Sequence, residues 1–197
     1  MTIPYPASIR RDRGQSLVEF ALVMPLALLI VLGLVEVGYA LLDQQIVTKI
    51  TREGSNLISR DTTLQAAGAA VTSMSSRPVN FSTTSKMIFS VIKKGAISGT
   101  ANYDQLALYQ RYEVGNGSGT SRLTMRGGGS FGGAPDYTAV NADTNSGLQI
   151  TNLDPNLISA RGGMIYVTEV FSRHPLITPL DRLGIVVPQT LYSIAYF

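Results

Sequence analysis

Three residues near the start of the chain have types and spacing suited to a backbone cut followed by charge pairing. In "RRDRGQSLVEF", Gly14 precedes a candidate scissile bond, Gln15 follows it, and Glu19 becomes the fifth residue of the trimmed chain. Glycine presents no Cβ, so a peptidase can approach the backbone closely. A cut between Gly14 and Gln15 leaves an amine at the end of an apolar run, and that charge is costly in a low-dielectric setting unless an opposite one stands nearby. Glu19 of a neighbouring subunit supplies it. The expected roles are cleavage at Gly14 and Gln15, and registration of subunits or of the peptidase by Glu19.

Other arrangements imitate catalytic or metal sites less well. Gly127 to Gly132 fits G-x-S-x-G around Ser130 and also G-x-G-x-x-G, but both matches follow from four glycines in six residues. Each motif needs a strand before it and a helix after it, and "APDY" does not read as such a helix. A triad would also require the single histidine, His174, which stands before Pro175 and is expected in an exposed turn. The run Asn141 to Gly147 echoes a calcium loop, yet its glycine is one place late and Asn152 stands where a bidentate glutamate belongs. With no cysteine, thiolate metal sites, disulfides and cysteine nucleophiles are excluded. No enzyme activity, cofactor or metal is expected.

The elements that position the cut come next. From Phe20 to Val35 the chain carries no charge, and apolar character extends from Leu17 to Leu42 apart from Glu19 and Glu36. As a helix this stretch is about 39 Å long, more than the ~30 Å hydrocarbon core of a bilayer. Pro25 within it is expected to kink or locally melt the helix near Ala21. Arg10, Arg11 and Arg13 precede the span, which favours a cytoplasmic N-terminus and an outward C-terminal part. Three readings compete: a plain signal anchor, a secretory signal peptide cut after Ala40, and a prepilin-type leader cut after Gly14. Only the third gives Glu19 a task, and Glu19 lies close enough to the membrane surface to reach it. Glu36, near the outer end, is explained by snorkelling or by a helix boundary.

"GQSLVEFALVMPLALLIVLGLVEVGYAL", Gly14 to Leu41, resembles the N-terminal signature of TadE-like pseudopilins of the tight adherence (Flp-type) pilus machinery. The resemblance rests on Gly14, Glu19, Phe20, Pro25 and Gly38, and "GMIYVTEVFSRHPLI" is similar to the family's late strand and proline turn. It implies processing by a dedicated prepilin peptidase, recognition through Glu19 and Phe20, and a minor pseudopilin's role in pilus assembly and adherence. The implied partners are that peptidase, other pseudopilins, Tad inner-membrane assembly proteins and the lipid bilayer. The implied location is the bacterial inner membrane, single-pass, with a periplasmic head. A secreted or anchored ligand-binding domain, such as an adhesin, is the alternative.

The fold class expected is α+β, and four parts are expected along the chain. They are a basic leader (1–14), a transmembrane helix (15–42), an amphipathic helical arm (43–60) and a small pilin-like head (61–197) with a mainly antiparallel sheet. The arm shows apolar positions at Leu42, Ile46, Ile50 and Leu57 or Ile58, with a break expected at Gly54 and Ser55. A second helix, capped by Asp61 or Thr62, is expected to end before Pro78. Strands are expected at Lys86 to Lys93, Leu106 to Val114, Met164 to Phe171 and Leu191 to Phe197. The Gly-rich stretch 115–147 reads as a mobile surface excursion, and a short helix is expected near its end or at Asp154 to Ala160. The formal charge of +3 is scattered, without the basic stripe that a nucleic-acid surface needs.

Overall fold

The computed structural model describes residues 12–186 and 188–197. The chain is α+β: helix α1 (Asp12–Ile58), helix α2 (Leu64–Met74), and strands β1 (Lys86–Lys94), β2 (Leu106–Val114), β3 (Met164–Arg173) and β4 (Thr190–Tyr196). It divides into two compact units, one of Met1–Tyr39 with Leu176–Val187, the other of Ala40–Pro175 with Pro188–Phe197. The helix assignment is uninterrupted through Pro25, so the local melting expected there does not occur.

In the second unit the strands form one antiparallel sheet in the order β2-β1-β3-β4. β1 is central and buried on both faces, which explains its nearly continuous apolar run. Its odd-numbered residues Met87, Phe89 and Val91 join Val170 and Leu191 beneath the two helices. The β1–β2 register shifts between Val91 and Ile92, leaving Tyr109 unopposed between Gln110 and Leu108, as in a bulge.

The buried positions of α1 in this unit are Val47, Ile50, Thr51, Gly54, Ser55 and Ile58, which follow helical spacing. The break expected at Gly54 and Ser55 is therefore absent, and tertiary contact is the reason. A Cβ on Gly54 would stand 3.0 Å from Thr168 Cγ2 and 3.1 Å from Phe89 Cε1, so glycine permits the helix to approach the sheet. Ser55 Oγ donates to the Ala195 carbonyl at 3.0 Å. Contacts of this kind outweigh the roughly 1 kcal/mol that glycine costs in a helix. α2 is capped one residue later than expected, by Thr63, whose Oγ1 accepts from Ala66 N, while Asp61 takes a left-handed turn conformation.

The opposite face of the sheet presents Ile92, Leu108 and Val167, with Leu106 and Ala107 in the same cluster. It is covered by Leu123, Ala139, Leu148, Ile150 and Ile158 from the connecting segments, not by helices. The expected helix near Asp154 shrinks to a 3-10 turn at Pro155–Leu157, capped by Asp154.

Candidate functional site

The expected cleavage site lies in the opening turns of α1. Gly14 is exposed, and a Cβ there would meet no atom within 4 Å. Gln15 Nε2 donates to Glu19 Oε1 at 3.0 Å, so the two residues flanking the expected first turn of the trimmed chain share one helix face. Phe20 is exposed beside them. The structure thus brings Gln15 and Glu19 together, leaves Gly14 and Phe20 open on the surface, and puts Arg13 in the same helix. Arg10 and Arg11 lie outside the described residues.

Beyond this turn α1 presents Leu17, Leu22, Leu26, Leu34 and Leu41 to the outside, with no protein covering them. It is the one helix among the described residues that is long and apolar enough to cross a membrane. Such continuous exposed apolar surface requires lipid or a protein partner.

Two polar residues expected at the surface or in a turn are buried instead. Glu36 is 1% exposed, and its carboxylate accepts the backbone N–H of Thr178 at 2.8 Å and of Ile177 at 3.2 Å. The Thr178 hydroxyl donates to the same carboxylate at 2.5 Å. In this structure donors from the β3–β4 connection, not snorkelling, accommodate Glu36. His174, expected in an exposed turn, is fully buried, with Nδ1 2.6 Å from Asp43 Oδ2. Its backbone N–H donates to the Gln189 carbonyl at 2.7 Å, which continues the β3–β4 pairing past Arg173 and turns the ring inward. Asp43 is the first acid after the apolar run, and a lone histidine elsewhere was its only ring partner available in the sequence; nothing in their spacing links them.

The Gly-rich stretch is tied down as well. Glu169 of β3 is fully buried on the loop-covered face, where it accepts Arg122 N–H at 2.8 Å and Tyr192 O–H at 2.9 Å, together with a short bond from Ser121 Oγ. Arg111 Nη2 donates to Ser121 Oγ at 2.9 Å, and the Arg122 guanidinium lies 3.8 Å over the Tyr192 ring. Burial pushes the Arg111 guanidinium below its ordinary value, and the charges of Glu169 and Glu113 oppose that shift. Burial raises the Tyr192 phenol strongly, and the Glu169 charge and hydrogen bond add to it. Isolated bridges Gln110↔Thr138 and Ala107↔Gln149 fasten the excursion further along, so the expectation of a mobile loop gives way to a pinned one.

The motif matches dissolve in this geometry. Ser130 lies on an exposed loop residue whose carbonyl accepts Val140 N–H, while the His174 ring is engaged by Asp43. In the calcium-like run, Asn145 Oδ1 accepts Gly147 N–H, and Asn152 bridges Thr124 N and the Arg122 carbonyl. Among the described residues no three His, Cys, Asp or Glu side chains converge as metal ligands.

The profile of the TadE-like protein family matches residues 14–56, the stretch that holds the exposed apolar run of α1. Residues 14–56 are TadE-like. The matched segment covers the whole exposed apolar run of α1 and the buried positions Val47, Ile50 and Thr51. No curated protein and no solved structure matches the chain. The TadE-like segment is followed in the chain by the four-stranded sheet β2-β1-β3-β4.

Proposed function

We propose that this chain is a minor pseudopilin of a Tad-type pilus system, held in the inner membrane by α1 and acting through protein–protein contacts without catalysis. The observation that carries the reading is the TadE-like match over residues 14–56, which coincides with an exposed helix long and apolar enough to span a bilayer. Single-pass anchoring with the head outward agrees with the basic residues before the span. A prepilin peptidase cuts between Gly14 and Gln15, where Gly14 is exposed, and Glu19 with Phe20 is the feature that it reads. After the cut, Glu19 meets the new amine of a neighbouring subunit as helices pack in the pilus, and the other pseudopilins and assembly proteins of the system are the partners.

N-terminal sequencing of the chain from membranes and pili tests the reading. A mature terminus at Gln15 is expected. A terminus at Leu41 would make the chain a secreted domain, and an intact Met1 would make it an ordinary anchor. In the same cells Glu19→Ala is expected to insert normally while cleavage or pilus formation falls at least about tenfold, the scale of losing one charge-assisted contact. Unchanged cleavage and unchanged pili would remove the role given to this carboxylate.

A further inference from the structure

The β3–β4 connection, Leu176–Val187, belongs to the same compact unit as the apolar helix. Its docking has two ends. At one, Glu36 receives two backbone N–H groups and a hydroxyl from Ile177 and Thr178, and both Glu36 and Thr178 are buried. At the other, Leu183 shares an apolar groove of about 470 Å³ with Ala21, Met24, Pro25, Leu28 and Leu29. Leu180, between them, is only 3% exposed.

That arrangement conflicts with a bilayer around the helix. Measured at 1.5 Å per residue from Leu17, Met24 to Leu29 lie about 10–18 Å into a ~30 Å core. A connection seated there carries Asp181 and Arg182, both exposed, into hydrocarbon. It also carries a backbone with one 3-10 turn, Pro179–Leu183, and irregular flanks. Charges at that depth are strongly disfavoured, and lipid-exposed irregular backbone is not found there. Outside lipid the balance reverses: the connection then sets Leu183 beside Leu29, which is partly buried, and gives the Glu36 carboxylate its donors.

We propose that residues 176–186 are a strap that closes over the apolar helix only when the helix has left the bilayer, with Glu36 as the positioning residue that clasps it through Ile177 and Thr178. In the membrane the strap is open and Glu36 lies near the outer interface in contact with water. On extraction the strap takes the place of lipid on one face of the helix. The inference rests on the reading that the subunit leaves the membrane during assembly, but its test does not require pili.

The chain has no cysteine, so Leu180→Cys gives a single reporter in the full chain. Alkylation by an aqueous, membrane-impermeant maleimide is followed in liposomes with the head outward, and in water with a fused soluble carrier and no lipid or detergent. Reaction is expected to be at least about tenfold slower in water than in liposomes, because only a closed strap buries the reporter. Adding Glu36→Ala, or the milder Thr178→Val, is expected to remove the protection in water and leave the liposome rate unchanged, with the sheet signal in circular dichroism retained. Equal rates in the two settings, protection in liposomes, or protection in water that survives both variants overturns the strap. Absence of the chain from isolated pili would instead end the assembly reading and leave this comparison intact.

Discussion

Replacing Glu169 by alanine removes the carboxylate at the centre of the polar cluster on the loop-covered face. Three donors lose their acceptor: Ser121 Oγ, Arg122 N and Tyr192 OH. The half-buried Arg111 guanidinium loses the negative charge that offsets part of its desolvation. Hydrogen bonds to charged groups contribute about 1.5–3 kcal/mol each, but three that share one acceptor do not add. Leaving several desolvated donors without their shared acceptor gives an expectation of about 3–5 kcal/mol for Glu169→Ala. Against a total of roughly 5–15 kcal/mol it leaves the head marginal. In urea, with a slope of about 1–3 kcal/mol/M, the midpoint should fall by about 2 M when unfolding of the full chain in liposomes is followed by circular dichroism and tyrosine fluorescence. A second readout is local: Arg122 is exposed but held through its backbone N–H, so trypsin should cut after it much sooner in the variant. Glu169→Gln keeps an acceptor but not the charge, and should fall between the two. A stability loss below about 1 kcal/mol together with an unchanged cut at Arg122 would refute the claim that this carboxylate pins the excursion.

Two further outcomes follow from the packing and the ionisation of the head. Gly68→Ala, which on an exposed helix would stabilise, should here destabilise by about 1–3 kcal/mol in the same urea titration, because overpacking dominates. A Cβ there stands 2.8 Å from Tyr112 Cε1, and that ring is held in a stack with Tyr137 at 4.2 Å. The raised Tyr192 phenol gives a pH dependence of definite sign, since the folded state keeps a proton that the unfolded chain releases near pH ~10. Its contribution is complete below that pH and declines as pH rises through the folded value. Urea midpoints should therefore drop more steeply above pH ~10 in the wild type than in Tyr192→Phe, and parallel curves would contradict the assignment.

Much of the architecture was legible in the sequence because it depends on hydrophobic periodicity. β2 begins and ends at the expected residues, and the other three strands lie within two residues of expectation, since alternating or continuous apolar runs survive any choice of partner. The inward face of α1 was only half visible: Val47, Ile50 and Ile58 follow the pattern, but Gly54, Thr51 and Ser55 share that face and read as polar or as a break. Their burial is decided by Thr168, Phe89 and the Ala195 carbonyl, which lie more than a hundred residues away except for Phe89. The same limit hid the partners of Glu36 and His174. Thr178 and Asp43 become their neighbours only through the return of β3 and the turn after it, and no local spacing encodes that meeting. At the candidate processing site, by contrast, the relevant contact is one helical turn long, so the Gln15–Glu19 proximity follows from helix geometry alone.

Pinning the Gly-rich stretch through Ser121, Thr138 and Gln149 cuts one long excursion into several short arcs. Each arc closes on neighbouring anchors, so its conformational freedom is set locally and the sheet beneath is insulated from what the tips carry. Gly128 and Gly133 have open space beside them, which makes those tips the region of the head where side chains can be exchanged with least effect on folding. A surface that can vary while its support stays constant is suited to tracking a changing partner.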